Sequence, residues 1–144
     1  MVNITSGVAK LVGDAGITGV VWNPTSGGGS VFVDVVPPKP DVAVIATLLA
    51  GGYETAYGLT LDRSTTVQVR VRGKHAGGTA SLATQIGELL WQTRDGATFT
   101  LADNTVVDVI QASVEGPVFM GIDTNERPEY VIRYTFRWSP ADTP

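Results

Sequence analysis

Arg63, Arg70, Arg72, Lys74 and His75 form the densest charged group in this chain, and Asp123-Thr124-Asn125-Glu126-Arg127 the next. A guanidinium offers five N–H donors in a planar fork that matches carboxylate and phosphate oxygens. The first group therefore suits an anionic partner, either the carboxylates of a neighbouring subunit or a nucleic acid, and a solvated strand face accounts for it as well. Ten Lys and Arg against 14 Asp and Glu leave a formal charge of −4. That balance, with no aromatic residues between the basic ones, argues against general nucleic-acid binding. The second group opens like a calcium loop, but Arg127 sets a cation at the fifth position and the turn glycine is missing. His75 is the only histidine and there is no cysteine. Thiolate nucleophiles, disulfides and His-rich metal sites are excluded together. No Gly-x-Ser-x-Gly elbow occurs, and Gly73-Lys74 lacks both the upstream glycine and the following Ser/Thr of a phosphate loop. Gly13, Gly16 and Gly19 recur every third residue with no strand before them. The acids provide no carboxylate pair in a recognisable glycosidase context. Neither catalysis nor a bound metal or cofactor is expected.

At 144 residues and 15.1 kDa the chain has the size of one domain. Hydrophobic residues make up 43% and charged residues only 17%, below the usual quarter, with 17 glycines and a mean hydropathy of +0.14. Such a composition implies surface that something else covers. The longest apolar run, 42–50, is about half of what a membrane span needs, and residues 1–15 do not read as a secretory signal. The sequon at Asn3-Ile4-Thr5 then has no secretory context. The cytosol of the producing cell is the expected compartment.

The elements that must carry these side chains follow from periodicity. Val8, Leu11, Val12 and Ala15 predict a helix within the first fifteen residues, capped by Thr5 or Ser6 and ended by Asp14-Ala15-Gly16. Residues 17–22 are β-rich. A glycine-rich loop, Ser26-Gly27-Gly28-Gly29-Ser30, precedes a strand over 31–36 that Pro37-Pro38-Lys39-Pro40 stops. A further strand covers 42–49. Strict alternation marks two more, with Thr65, Val67, Val69 and Val71 on one face of the first, and Tyr130, Ile132, Tyr134, Phe136 and Trp138 on one face of the second. Arg70 and Arg72 fall on the opposite face. Between these strands Leu82, Ala83, Ile86, Leu89 and Leu90 form the stripe of a main helix, with Thr79 or Ser81 as cap and Asp95-Gly96 as exit. Residues 98–101 and 106–114 read as a hairpin. The order is helix, three strands, helix, three strands. It predicts a single α+β domain whose antiparallel or mixed sheet carries both helices on one face.

Several motifs resemble a known family in matching order over residues 31–138. They are Pro37-Pro38-Lys39-Pro40-Asp41, then Val67-Gln68-Val69-Arg70-Val71-Arg72-Gly73, then Gly116-Pro117-Val118-Phe119-Met120-Gly121-Ile122-Asp123. Asn125-Glu126-Arg127-Pro128-Glu129-Tyr130 and the aromatic close Tyr134-Thr135-Phe136-Arg137-Trp138 complete the set. The resemblance is to the tail terminator and minor capsid proteins of bacteriophages with long, non-contractile tails. It implies a small α+β structural protein of the virion neck, made in the host bacterial cytoplasm, that assembles as a homohexameric ring. The ring caps the head-proximal end of the tail tube, stops its growth and offers a docking surface to the head-tail connector or stopper protein. Its partners are itself, the tube protein and the connector, with DNA only as passing cargo and no membrane. In that frame Arg70, Arg72, Asp123, Glu126 and Arg127 are expected at lateral contacts, the last three in a long loop. Ser26, Gly27, Gly28, Gly29 and Ser30, with Tyr53 and Tyr57, are expected to dock axially.

Two rival readings share these residues. One is a tail tube subunit or another neck protein, which self-polymerisation into long tubes distinguishes. The other is a small β-sheet ligand-binding module, which exposure of Trp22 or Trp91 favours.

Overall fold

The computed structural model describes residues 4–23, 29–54, 62–93, 98–100 and 106–140. The apolar spacing near the start winds α1 (Ile4–Gly13), which buries Ile4, Val8, Ala9 and Val12. The helix begins earlier than expected, so Thr5 and Ser6 lie within its first turn rather than capping it. At its far end a side chain on Gly13 would sit 2.2 Å from Trp22 Cβ. Only glycine lets the chain return this closely.

The expected β character of residues 17–22 does not form a strand: Val21 meets the 30–31 backbone, but its own N–H is taken by a side chain. Val21 N–H donates to Ser30 Oγ at 3.0 Å, and Ser30 N–H donates back to Val21 C=O at 2.9 Å. Next come β1 (Val31–Val33), β2 (Ala43–Glu54) and β3 (Asp62–Arg72). β1 stops short of the expected 31–36 where Asp34 turns to φ +61°. β2 runs past its expected end at 49 and takes in Gly51, Gly52 and Tyr53, whose backbones pair with Thr65, Ser64 and Arg63.

α2 (Ala76–Gln92) buries Thr79, Ala83, Ile86, Gly87 and Leu90. Its N-cap is His75, with no side-chain cap bond. Thr79, expected as the cap, instead donates its hydroxyl back to His75 C=O at 2.6 Å, one turn into the helix. Ser81 is likewise internal. The expected exit at Asp95-Gly96 lies outside the described residues. β4 (Thr98–Thr100), β5 (Val106–Ile122) and β6 (Pro128–Pro140) complete the order. β4 and β5 pair antiparallel as the hairpin reading requires.

The six strands form one sheet in the order β1-β2-β3-β6-β5-β4. β1 and β2 are parallel and the other pairs antiparallel, so the sheet is mixed. A parallel neighbour cannot be reached by a tight turn. Residues 34–42 must therefore run back alongside the sheet as a crossover. The core lies between the sheet and both helices. Val67, Val69, Val71, Ile132, Tyr134, Phe136 and Trp138 meet Val8 and Val12 of α1 and Ala83, Ile86 and Leu90 of α2 in one cluster. The buried aromatic tips find partners, as burial of a polar atom requires. Trp138 Nε1 donates to Thr65 Oγ1 at 2.9 Å, and Tyr134 OH donates to Thr93 C=O. Burial pushes the Tyr134 phenol well above its ordinary range. The α+β arrangement with both helices on one face is thus the observed one.

Candidate functional site

Alternation puts every second side chain of β3 and β6 on the face away from the helices. Along this face run Thr66, Gln68, Arg70 and Arg72 from β3, and Glu129, Val131, Arg133, Thr135 and Arg137 from β6. The register sets Gln68 opposite Arg133, Arg70 opposite Val131, and Arg72 opposite Glu129. Thr66 and Thr135 share a hydroxyl–hydroxyl hydrogen bond of 3.0 Å across the strands. Arg70 lies 3.9 Å from Glu129 and keeps a third of its side chain exposed.

At one end of this face the crossover is clasped by two arginines. Arg72, only 1% exposed, donates from Nε to Asp41 C=O at 3.1 Å and from Nη2 to Pro40 C=O at 2.6 Å. Arg127 donates from Nη1 to Pro38 C=O at 2.6 Å and lies 3.4 Å from an Asp41 carboxylate oxygen. Pro37, Pro38 and Pro40 bring no backbone N–H, so the segment presents acceptors and little else. A guanidinium, with donors only, is the complementary group. Burial and the neighbouring Arg127 charge lower the Arg72 pKa, and Asp123, Glu129 and Asp41 act against them.

The turn after β5 builds the second half of the clasp. Asp123 Oδ1 accepts the N–H groups of Asn125 and Arg127, each at 2.9 Å, and Oδ2 accepts Arg127 Nε at 2.8 Å. Glu126 carries φ +62° at the tip. Burial raises the Asp123 pKa, but the hydrogen bonds from Arg127 and Asn125 outweigh it and hold the carboxyl below the usual range. The long loop expected here is therefore a five-residue turn, since β5 continues through Gly116-Pro117 as far as Ile122.

The site residues read from sequence thus divide. Arg72, Asp123 and Arg127 come together, but as an internal clasp: both guanidiniums are spent on carbonyls of their own chain, which removes them as free lateral contacts. Arg70 and Glu126 remain at the surface. Ser30 is 8% exposed, and its hydroxyl also donates to Gly19 C=O at 2.7 Å, so this end of the glycine-rich loop is tied down. Gly29 precedes it. Ser26, Gly27, Gly28 and Tyr57 lie outside the described residues. Tyr53 belongs to a strand rather than a loop, and its side chain lies outside what is described. His75 lines an open depression with Lys74, Gly73 and Thr79 at the start of α2.

Sequence reasoning missed a surface. Val118, Phe119, Met120 and Ile122, in the second half of β5, are 52–66% exposed. Phe119 packs edge-on against Tyr130, with centroids 5.4 Å apart. Trp91 of α2, half exposed, borders a groove with Val114 and Pro117 beside the same strand. The signal was present as an apolar run without alternation, which normally denotes a strand covered on both faces.

Among the described residues no three His, Cys, Asp or Glu side chains gather as a metal site, and no helix is long and apolar enough to cross a membrane. No curated protein matches the chain. A solved structure, of a protein named only by a sequence code, is similar at 17% identity over 80% of this chain and 81% of its own, with a TM-score of 0.47. That likeness carries no argument about function. The family model described as bacteriophage tail terminator protein matches residues 12–139, a wider span than the motifs alone mark out. By that match, which spans most of the sequence, this chain belongs to the bacteriophage tail terminator family.

Proposed function

We propose that the chain closes into a homohexameric ring on the head-proximal end of the tail tube, halts tube growth there and presents the surface on which the head connector or stopper docks. The observation that carries this reading is the amount of apolar surface left uncovered on a chain of this family. Leu48 and Leu49 towards one edge of the sheet, Ile110, Val118, Phe119, Met120 and Ile122 towards the other, and Trp91 of α2 are all exposed, more than a solitary soluble domain usually leaves open. A ring subunit has two lateral neighbours and two axial ones, so such surface is covered on assembly. Six copies sum to a charge of about −24, and acidic walls let DNA pass rather than stick. Arg70 and Glu126 are the lateral polar contacts in this reading. The clasp of Arg72, Asp123 and Arg127 positions the turn that carries Glu126. In this reading the Ser26–Ser30 loop and the Tyr53–Tyr57 segment face the axial partners.

Electron microscopy of a lysate from phage with this gene disrupted tests the proposal. Overlong or ragged tails beside unattached, DNA-filled heads are expected. Filled heads without any tubes would make it a tube subunit. Normal infectious particles would overturn the assembly role and turn attention to Trp91, whose exposure favours a β-sheet ligand-binding module.

A further inference from the structure

We propose that neighbouring copies join edge to edge through the sheet, β5 of one pairing antiparallel with β2 of the next. The inference rests on the ring reading and names the surface that closes it. β4 covers only Val106, Val107 and Asp108 of β5, so among the described residues 113–122 have no strand partner but β6. On the other side β1 covers only Val44, Ile45 and Ala46 of β2, and 47–54 pair with β3 alone. Among the described residues the sheet thus has two open edges, which present backbone donors and acceptors that another strand satisfies.

Each edge carries exposed apolar side chains among the described residues. Val118, Phe119, Met120 and Ile122 project from β5, and Leu48 and Leu49 from the register shift in β2. The four β5 side chains expose on the order of 400 Å², about half of what each partner of a stable interface buries, before Trp91 and the edge backbone are added. Directions also match. β2, β3, β6 and β5 alternate, so β5 runs opposite to β2, and unflipped copies placed side by side bring the two edges together antiparallel. Charge and ring closure both disfavour a two-fold β5–β5 pairing. The charged residues of β5 are Asp108 and Glu115, and Glu88 lines the adjoining groove. Self-pairing sets acids against acids and is two-fold, whereas a closed ring needs the heterologous contact that β5 on β2 supplies.

The absence of cysteine makes the test clean. Ser113→Cys in β5 and Leu49→Cys in β2 are treated with a flexible bismaleimide, in concentrated purified protein and in assembled tails. An equal mixture of the two single variants should give a cross-linked dimer, and neither variant alone should. Cross-linking of Ser113→Cys alone means two-fold pairing and overturns the proposal, as does no cross-link in either preparation. A variant with both cysteines should give a ladder that ends at a fixed copy number. A ladder without end, with the mixture still cross-linking, overturns the closed ring but not the edge contact. Met120→Lys with Ile122→Lys should keep the thermal midpoint of the wild type and weaken association at least about tenfold. Unchanged association would sink the apolar half of the contact.

Discussion

Arg72 at the end of β3 and Arg127 in the turn between β5 and β6 close on one short segment, Arg72 taking the carbonyl oxygens of Pro40 and Asp41 and Arg127 that of Pro38. Together they pin the crossover between the two parallel strands. Arg72→Met should lower the unfolding free energy by about 2–4 kcal/mol, because the carbonyls it held stay buried without a donor. Arg72→Lys should recover part of that loss, since one ammonium reaches fewer of the acceptors than the fork does. Urea denaturation of the three proteins checks the order.

Asp123 gives the clasp a pH dependence on the acid side. Its carboxyl is held below the usual range in the folded chain, so its stabilisation is complete above the unfolded carboxylate pKa and is lost as pH falls through the folded value. Wild type should therefore lose stability relative to Asp123→Asn as pH drops from about 6 to about 2, the two converging at the acid end. Urea midpoints across that range show the convergence, and parallel curves would contradict it.

Gly116 holds φ +100°, and a Cβ there would lie 2.6 Å from Val131 C=O. Gly116→Ala should destabilise by at least about 2 kcal/mol through backbone strain and the clash combined. Thermal unfolding measures it.

Tyr134→Phe removes the buried donor to Thr93 C=O at the C-terminal end of α2. A loss of about 1–2 kcal/mol is expected with the fold intact. Calorimetry provides the number, and circular dichroism should show unchanged secondary structure.

Arg70→Glu separates assembly from folding. Its ion pair with Glu129 is long and partly solvated, so the free energy of unfolding should change by less than about 1 kcal/mol. Incorporation into tails should nevertheless fall, as a particle assay on a complemented lysate would show. Normal incorporation would remove Arg70 from the lateral contact.

The parts legible in the sequence are those that a local period encodes. Thr65 to Val71 and Tyr130 to Trp138 alternate, and the structure buries Thr65, Val67, Val69, Val71, Ile132, Tyr134, Phe136 and Trp138 accordingly. The same alternation assigned Arg72 to the outer face, which is where it points. What no local pattern contains is that a segment 31 positions earlier covers that face at this one place. Gly51-Gly52 and Gly116-Pro117 carry the composition of loops, yet the first pairs with β3 and the second is a bulge that β5 carries between paired residues on either side. Thr79 is a good cap by type, but its hydroxyl found the His75 carbonyl one turn back. The edge strand escaped notice because pairing order, unlike periodicity, is a property of the whole chain.

The helices and the core occupy one side of the sheet only. Along β3 and β6, then, the consequence of a substitution should change with every residue. Alterations at Val67, Val69, Ile132 or Tyr134 yield a subunit that does not persist in the cell. Alterations at Gln68, Arg70, Arg133 or Thr135 yield one that accumulates normally and fails later, when particles are put together. A saturation scan would show two defects interleaved along the same strand, separable by whether the soluble protein or only the infectious titre disappears.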